Sequence, residues 1–293
     1  MLEFFTCPDE QTTKVKDCIS KCRMDARCLT MPTLTLLAEE REWNGIPSTT
    51  QLINGTQMEF LKLTMPYTID PDKRAFMLAG TKHHVLLKEA ASILNLPAEI
   101  PLSIDRDVFD LLEPEDGSWA LTDYKNWGSY RVAKALGLIE IGRQPDPSGA
   151  IYKVNGKYGE AGEPKTIPMF RRIPDMADLF GEELQLNRYR IMLEELGLKV
   201  SKMQLQVTVR DGGLAVAISR GITRNLYLIP IKELNDTSII SYFDAKGAKL
   251  LQALADGECL DYCDDRECWE GRRCKGYCEV SIYCPKGILT QED

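Results

Sequence analysis

Histidine, long apolar runs and an excess of basic charge are all scarce or missing in this sequence. Only two histidines occur among 293 residues, and they are adjacent, at His83 and His84. No stretch is long and apolar enough to cross a membrane, and the first residues have neither the basic nor the apolar region of a signal peptide. We therefore expect a cytoplasmic protein with no membrane partner. The net charge of −8 excludes a protein whose whole surface binds nucleic acid, although it leaves room for a local basic groove.

Length and composition are typical of a globular protein of mixed structure. The chain is long enough to bury a full core, and 44% of its residues are hydrophobic. Periodicity predicts helices over 70–96, 178–196 and 237–255, and strands over 199–209 and 226–231. The predicted fold class is therefore α/β, with a mixed central sheet flanked by helices.

Acidic and basic side chains alternate in a predicted β-hairpin near the middle of the chain. Two apolar runs, 108–112 and 119–125, are joined by the turn-rich segment EPEDGS. Because side chains alternate between the faces of a strand, Asp123 and Lys125 share a face, and strand pairing brings Asp110 beside Asp123. Two adjacent carboxylates suit Mg²⁺ or Mn²⁺, and a nearby ammonium can activate water or stabilise a phosphoryl oxyanion. A solvated hairpin whose charges merely alternate is the alternative.

Two predicted helices carry further polar residues that could join this site. The first begins with Asp70 as its N-cap and Pro71 at its first position, and it carries His84. A neutral imidazole binds divalent ions well, so His84 is a candidate third ligand, with an ordinary core or surface histidine as the alternative. On the later helix, Gln185 and Tyr189 are four residues apart and share one face.

Taken in chain order, these residues resemble the motifs of the RecB-like branch of the PD-(D/E)XK nucleases. That family has Gly-x-x-x-His on a helix, an aspartate on one strand, (Asp/Glu)-x-Lys on the next, and Gln-x-x-x-Tyr on a following helix. The matching residues, in the same order, are Gly80 with His84, Asp110, Asp123 with Lys125, and Gln185 with Tyr189. The resemblance spans about residues 48–210, and Ser48-Thr-Thr-Gln-Leu is similar to the start of the family's first helix.

The resemblance implies a restriction-endonuclease-like core and a Mg²⁺- or Mn²⁺-dependent deoxyribonuclease. The residues that it makes catalytic are Asp110, Asp123 and Lys125. The metal ligands that it implies are His84, Asp110, Asp123 and the backbone carbonyl of Tyr124, and the DNA-binding residues are Gln185 and Tyr189. We expect an exonuclease on DNA ends or single strands in recombination, repair, phage replication or CRISPR adaptation, with recombination or replication proteins as partners. A non-catalytic DNA- or protein-binding module that retains the nuclease fold is the alternative.

Three features depart from the family pattern. Lys88, followed by Glu89, stands where the family often has a glutamate four residues after the histidine. Asp107 replaces a glycine that commonly precedes the first aspartate. A long gap, rich in glycine and proline over 144–168, separates the third motif from the fourth, and we interpret it as an insertion or mobile loop.

Basic and aromatic residues near the motifs could contact DNA. The basic candidates are Lys82, Lys88, Arg171, Arg172, Arg188 and Arg190. Trp127 and Tyr130 follow Lys125 closely, and they could stack on the bases of a frayed strand or could belong to the core.

All ten cysteines lie in the two ends of the chain. They are Cys7, Cys18, Cys22 and Cys28, and then Cys259, Cys263, Cys268, Cys274, Cys278 and Cys284. In a chain expected to stay in the cytoplasm, clustered cysteines indicate metal ligands before disulfides, and disulfides in an exported protein are the alternative. The last three cysteines of each end share the spacing C-x3-C-x5-C, which indicates two similar thiolate sites.

The run RRCKGYCEVSIYCP resembles the C-terminal cysteine trio of iron–sulfur nucleases in the RecB-like branch, of the CRISPR-adaptation and AddB types. Their fourth ligand usually lies in the first helix of the nuclease domain, where this chain has Asn54-Gly55. We choose Cys263 as the fourth ligand, which leaves Cys259 and Cys268 spare. A cysteine of the N-terminal set is the alternative.

Two structural metal sites at the chain ends are therefore predicted. The C-terminal site is a [4Fe–4S] cluster, or Zn²⁺, on Cys263, Cys274, Cys278 and Cys284. The N-terminal site is Zn²⁺, or a second cluster, on Cys7, Cys18, Cys22 and Cys28. The predicted organisation is a cysteine-rich metal-binding extension over 1–47, a nuclease core over 48–255 with an insertion at about 128–175, and a C-terminal cysteine cluster over 256–293.

Overall fold

The computed structural model describes residues 1–103 and 106–292, so that Asp293 of the predicted C-terminal cluster lies outside the described residues. The strands are β1 Leu2–Thr6, β2 Thr12–Lys14, β3 Tyr67–Ile69, β4 Ala98–Pro101, β5 Val108–Glu115, β6 Ser118–Trp127, β7 Leu138–Pro145, β8 Thr166–Arg172, β9 Val200–Val209 and β10 Leu226–Ile231. The helices are α1 Val15–Ser20, α2 Met31–Leu37, α3 Thr49–Ile53, α4 Thr56–Thr64, α5 Ala75–Ile93, α6 Ser129–Ala135, α7 Phe180–Glu195, α8 Ala215–Ile218, α9 Asp236–Asp256, α10 Arg272–Gly276 and α11 Pro285–Glu292.

The hairpin predicted from the sequence forms the centre of the largest sheet. β5 and β6 pair antiparallel, and both residues of the turn between them, Asp116 and Gly117, have left-handed φ angles of 44° and 77°. A two-residue turn of this kind matches the twist of the flanking strands, which is why Asp-Gly closes hairpins well. β9 joins β6 in parallel, and the sheet order is β10-β9-β6-β5-β4. The α/β class with a mixed central sheet is therefore confirmed.

Helices cover both faces of this sheet. On β5, Leu112 belongs to the main core, which also contains Leu193 of α7, whereas Leu111 packs with Ala91 of α5. Adjacent residues of a strand point to opposite faces, so α7 and α5 lie on opposite faces of the sheet. Polar side chains from both helices can therefore approach the same stretch of β5 and β6.

A second apolar cluster joins both ends of the chain to the helices of the middle. Phe5 and Leu34 from the N-terminal residues pack with Phe60 of α4, Leu250 of α9 and Cys284. β1 also pairs in parallel with β3, so the first strand completes a sheet with a strand that follows α4. The residues assigned to the N-terminal extension and to the C-terminal cysteine region thus share one core with residues of the 48–255 range.

The predicted bounds of four elements hold, whereas the helix predicted over 70–96 spans Ala75–Ile93. The bounds of α7, α9, β9 and β10 agree with the predicted ones within two residues. The helix predicted to start at Asp70 starts later, at Ala75, because the Asp70 carboxylate accepts a hydrogen bond from the Asp72 amide at 3.0 Å and closes a local turn. The long gap between motifs contains α6 and a separate two-stranded sheet of β7 and β8.

Asp107, which departs from the family's glycine, is a buried link between elements. Its carboxylate accepts hydrogen bonds from the Thr49 amide at 2.7 Å and from the Ser103 hydroxyl at 3.3 Å. Thr49 is the first residue of α3, whose N-cap Ser48 forms a capping box with Gln51. The carboxylate therefore fixes the start of α3 to the beginning of β5 and favours the helix N-terminus electrostatically.

Replacing Asp107 by alanine should lower the free energy of unfolding by about 1–3 kcal/mol, because the buried Thr49 amide loses its acceptor. Urea unfolding followed by circular dichroism measures the change. Asp175→Ala is the matched control: Asp175 is exposed, and its variant should stay within about 0.5 kcal/mol of the parent. Equal stability of the two variants would contradict this link.

Candidate functional site

His84, Glu99 and Asp110 form a cluster where α5, β4 and β5 meet. One ligand atom from each lies within 4.8 Å of the other two. His84 Nδ1 is 2.9 Å from Glu99 Oε1 and 3.8 Å from Asp110 Oδ2. In the part of the chain that the structure describes, no other three histidine, cysteine or carboxylate groups come this close together. Two carboxylates and an imidazole form a donor set suited to Mn²⁺ or Mg²⁺.

Glu99 is the member of this cluster that the sequence did not predict. It lies between Ala98 and Ile100, which pair with Leu111 and Phe109, so β4 places it opposite Asp110. Its φ of 52° is in the left-handed region, which is uncommon for a residue other than glycine. The only signal in the sequence is a single glutamate shortly before the aspartate strand.

The helix position at which the family often has a glutamate does not contribute to the cluster. Lys88 and Glu89 are both exposed on α5. The second carboxylate beside His84 comes instead from Glu99, on a neighbouring strand.

Asp123, Lys125 and Gln185 form a second polar group that adjoins the first. Lys125 Nζ lies 2.7 Å from Asp123 Oδ2, as expected for side chains on one face of β6. Gln185 of α7 donates a hydrogen bond to Asp123 Oδ1 at 3.1 Å and accepts one from Lys125 Nζ at 3.3 Å. Asp110 connects the two groups, since its Oδ2 accepts a hydrogen bond from the Tyr124 amide at 2.6 Å.

The two tyrosines of the predicted site are buried. Tyr189 is 5% exposed within the main core, where it hydrogen-bonds Gln185 and burial raises its pKa. Tyr124 packs against Ala91 and Leu111, and burial raises its pKa to about 12. Tyr189 thus holds Gln185 in position from the core side of α7. The backbone carbonyl of Tyr124 stays a predicted metal ligand.

Two of the basic residues predicted to contact DNA instead make contacts within the fold. Arg190 is buried and forms ion pairs with Glu194 and Asp236. The guanidinium of the half-buried Arg188 lies 4.3 Å from the centre of the Phe243 ring. These two arginines stabilise the contacts of α7 with α9.

Burial and crowded charges shift the ionisation of the site. Burial, followed by the charge of Asp123, raises the pKa of Asp110 to about 7, while His84 opposes the shift. The hydrogen bond to Glu99 raises the pKa of His84. Burial opposes the charge of Lys125, but the neighbouring Asp123 outweighs it, so the pKa of the ammonium is raised. The carboxylate–imidazole cluster therefore holds a proton near neutral pH unless a cation replaces it.

The affinity for Mn²⁺ should fall as the pH is lowered through about 7. Asp110 must lose its proton to bind a cation, so each pH unit below its pKa of about 7 should weaken binding about ten-fold. Calorimetric titration at about pH 8 and about pH 6 measures this, and binding should release protons. Glu99→Gln should weaken binding at both values, whereas Glu89→Gln on the exposed side of α5 should not. A pH-independent affinity would refute the assignment of Asp110 as a ligand.

The four N-terminal cysteines lie around Cys18. This thiol is buried on α1, and burial followed by the charges of Cys7, Cys28 and Cys22 raises its pKa. Arg27 donates a hydrogen bond to the carbonyl of Cys18 at 2.7 Å and so holds the end of α1 near the following loop. The fold therefore gathers the four residues that the sequence grouped.

Five C-terminal cysteines line one small cavity beside α4. They are the predicted four, Cys263, Cys274, Cys278 and Cys284, together with Cys268, which the sequence left spare. Burial raises the pKa of Cys263 to about 12 and also raises the pKa of Cys278. All ten cysteines of the chain are unpaired thiols. No three of their sulfur atoms lie within 4.8 Å of one another in the described part of the chain.

Cys263 occupies the space that a side chain at residue 55 would need. A Cβ atom on Gly55 would lie 2.2 Å from Cys263 Sγ, well inside any real contact distance. Gly55 is the N-cap of α4, and the amide of Met58 in the first turn of that helix hydrogen-bonds Cys263. The thiol thus lies at a helix N-terminus, and the Met58 hydrogen bond offsets only part of the rise in pKa that burial causes. This is the place at which the resemblance puts a cysteine of the first helix.

No helix within residues 1–103 and 106–292 combines the length and the apolar character needed to cross a membrane.

Comparison with known proteins gives little beyond this geometry. The sequence matches no protein-family profile and no curated protein. The solved structure "Crystal structure of SSO0001" is similar over 86% of this chain and 91% of its own chain, with 14% sequence identity and a TM-score of 0.41.

Proposed function

We propose that this protein is a divalent-metal-dependent deoxyribonuclease with a restriction-endonuclease-like core. The observation that carries the proposal is the meeting of the His84–Glu99–Asp110 cluster with the Asp123–Lys125 pair, through the Tyr124 amide. A site for a divalent cation beside a positively charged lysine side chain is an arrangement suited to cleavage of a phosphodiester.

The donor set fits a hard divalent cation. His84, Glu99 and Asp110 would hold it, and Asp123 and the Tyr124 carbonyl are the further ligands that the resemblance implies. Asp110 and Asp123 each lie one residue beyond the paired Leu111 and Thr122, which supports a shared site for the two carboxylates. When bound, a Mg²⁺ or Mn²⁺ ion would polarise the phosphate and lower the pKa of a bound water.

Lys125 has the properties of an electrostatic catalyst. Its raised pKa keeps the side chain protonated at neutral pH, so the ammonium can stabilise the developing phosphoryl charge and is a poor base for water. Asp123 and Gln185 hold the ammonium in place through contacts of 2.7 and 3.3 Å. Gln185, backed by Tyr189, is therefore a positioning residue.

Both cysteine groups support the proposal of structural metal sites. The C-terminal cavity would hold a [4Fe–4S] cluster, or Zn²⁺, on Cys263, Cys274, Cys278 and Cys284, and the N-terminal group would hold Zn²⁺. The close approach of Cys263 Sγ to Gly55 supports Cys263 as the fourth C-terminal ligand. Thiols with raised pKa values become thiolates when a metal binds, so metal binding would add to the folding free energy.

Lys125→Ala should slow Mn²⁺-dependent release of nucleotides from end-labelled DNA by about 100-fold or more, because the lost stabilisation of the transition state is about 2.7–4 kcal/mol. Binding of Mn²⁺ and of DNA should persist. Lys202→Ala is the matched control, since Lys202 is an exposed lysine on β9. A Lys125→Ala protein that digests DNA at the parent rate would rule out this role.

A parent protein that binds DNA but releases no nucleotides with Mn²⁺ or Mg²⁺ would support the non-catalytic DNA-binding module instead. The assay therefore separates the two classes of function. Asp110→Asn in the same assay distinguishes metal-dependent cleavage from a contaminating nuclease, because it removes a proposed ligand.

Protein made anaerobically in iron-replete cells should contain iron or zinc and should lose thermal stability on chelation. Cys278→Ser should lower the metal content, since its thiol lines the cavity. Cys259→Ser is the control, because Cys259 is a buried C-terminal cysteine outside the lining of that cavity. Parent protein that contains neither iron nor zinc, and whose thermal stability does not change on chelation, would refute the proposed sites.

A further inference from the structure

Helix α5 exposes most of its circumference to solvent. Of its 19 residues, only Ala91 is buried. Its contacts with the central sheet run along one side, through His84, Leu87 and Ala91. A surface helix of a globular protein ordinarily turns its apolar residues to the core and its polar residues to water. α5 departs from this rule, because apolar residues also lie on the side that faces away from the sheet.

The outward apolar residues form one stripe along the helix. Leu86 and Ile93 are 53% and 81% exposed, and Ala79 and Ala90 are exposed as well. Ala79, Leu86 and Ile93 follow one another at intervals of seven residues. Ala90 is four residues after Leu86, so all four side chains lie on one face. These four residues are the α5 stripe, and an apolar stripe of this kind is normally covered by another element.

One flank of the α5 stripe carries two opposite charges. Lys82 is four residues before Leu86, Glu89 is three residues after it, and both are exposed. Because the two charged residues are seven apart, they lie on the same flank, about 10.5 Å from each other along the helix axis. Neither side chain forms an ion pair or a hydrogen bond with any described residue. Both charges are therefore available to a partner.

These charges complement a second copy of the same helix. When two identical helices pack antiparallel about a two-fold axis, the same flanks meet and the order of residues reverses. Lys82 then lies opposite Glu89 of the partner subunit, and symmetry forms the same contact a second time. The midpoint of the two charges falls between Val85 and Leu86, and the midpoint of the α5 stripe is Leu86. One axis therefore satisfies the apolar contact and both ion pairs.

A lipid surface matches this face less well. Amphipathic helices that lie on membranes are rich in lysine and arginine on their polar face, which attracts them to anionic lipids. The charged side chains that α5 exposes are Lys82, Lys88 and Glu89, a set of mixed sign. The alternation of charge along one flank favours a partner that carries the same alternation in reverse.

The size of the face sets the strength of the association. A helix of 19 residues is about 28 Å long. Stable specific interfaces bury about 800 Å² on each partner, with about 20–30 residues on a side. A single stripe of one helix provides fewer residues than this, so we expect pairing that is weak and reversible.

We propose that two copies of this protein form a reversible dimer through antiparallel packing of the α5 stripe. His84 lies two residues before Leu86, so its side chain leaves the helix on the other side, toward Glu99 and Asp110. The dimer therefore leaves the candidate metal cluster open on each subunit. Dimerisation and the proposed function use different residues, and either can hold without the other.

Sedimentation velocity of the full chain, from about 1 to about 200 µM, measures the association. The parent protein should pass from monomer to dimer with a dissociation constant of about 1–100 µM. Leu86→Glu places two carboxylates together on the two-fold axis and should weaken the association about ten-fold or more. Leu260→Glu is the matched control, because Leu260 is a 73% exposed leucine outside α5, and its variant should associate as the parent does.

Charge reversal distinguishes a second copy from any other occupant. Lys82→Glu alone, or Glu89→Lys alone, sets like charges opposite each other twice in the dimer and should weaken the association about five-fold or more at low salt. The combined Lys82→Glu and Glu89→Lys variant restores opposite charges, and its dissociation constant should return to within about two-fold of the parent value. A foreign protein or a lipid would not reverse its own charge in step, so it could not produce this rescue.

Parent protein that stays monomeric over this range, association that is unchanged in Leu86→Glu, or reversed charges without rescue would overturn the proposal. Monomeric parent protein that binds phosphatidylserine-containing vesicles, with binding lost in Leu86→Glu, would assign the α5 stripe to a membrane and overturn it as well. Circular dichroism and thermal unfolding show whether each variant keeps the fold. Ile93→Glu, at a site that is 81% exposed, takes the place of Leu86→Glu if that variant does not fold.

Discussion

Repulsion between two buried carboxylates is the constraint on which the candidate site depends. Asp110 and Asp123 each lie one residue beyond the paired Leu111 and Thr122 of the β5–β6 hairpin, and burial, followed by the charge of Asp123, raises the pKa of Asp110 to about 7. Three neighbouring polar side chains offset part of the cost of burying these two charges. Lys125 and Gln185 engage Asp123 from the α7 face, while His84 lies beside Asp110 from α5. The helices on the two faces of the sheet are therefore needed together, and neither alone would complete the site.

Local chemistry explains which parts of this arrangement could be predicted from the sequence. The hairpin follows from the Asp-Gly turn and from alternation, both of which act over a few residues. Alternation also places Asp123 and Lys125 on one face, and the order of motifs points to Gln185 as their neighbour. The bounds of α7 and α9 follow from apolar periodicity and from ordinary ends, such as Asn235 as N-cap and Gly257 in the left-handed conformation.

Contacts between segments far apart in the chain could not be predicted in the same way. Glu99 reaches the cluster because an edge strand pairs with β5 and because its backbone takes a left-handed conformation, and neither fact has a strong local signal. Asp107 appeared as a departure from a pattern, and its role as acceptor for Thr49 exists only once α3 packs beside β5. Cys268 appeared spare because spacing alone cannot show that its thiol faces the same cavity as four others. Tyr189 shares a helix face with Gln185, as predicted, but that face turns into the core one turn later.

The contact between Gly55 and Cys263 has a consequence for how such sites can change during evolution. Because the sulfur of Cys263 fills the space of an absent side chain, the two positions are mutually exclusive, and a thiol can reach this spot from either segment but not from both. The sulfur atom of a cysteine at residue 55 and the sulfur atom of Cys263 would occupy nearly the same place, although the two residues belong to distant segments of the chain. Compensating exchange at these two positions, glycine for cysteine at one and cysteine for glycine at the other, would move a thiol between distant parts of a chain while its sulfur atom stays in nearly the same place.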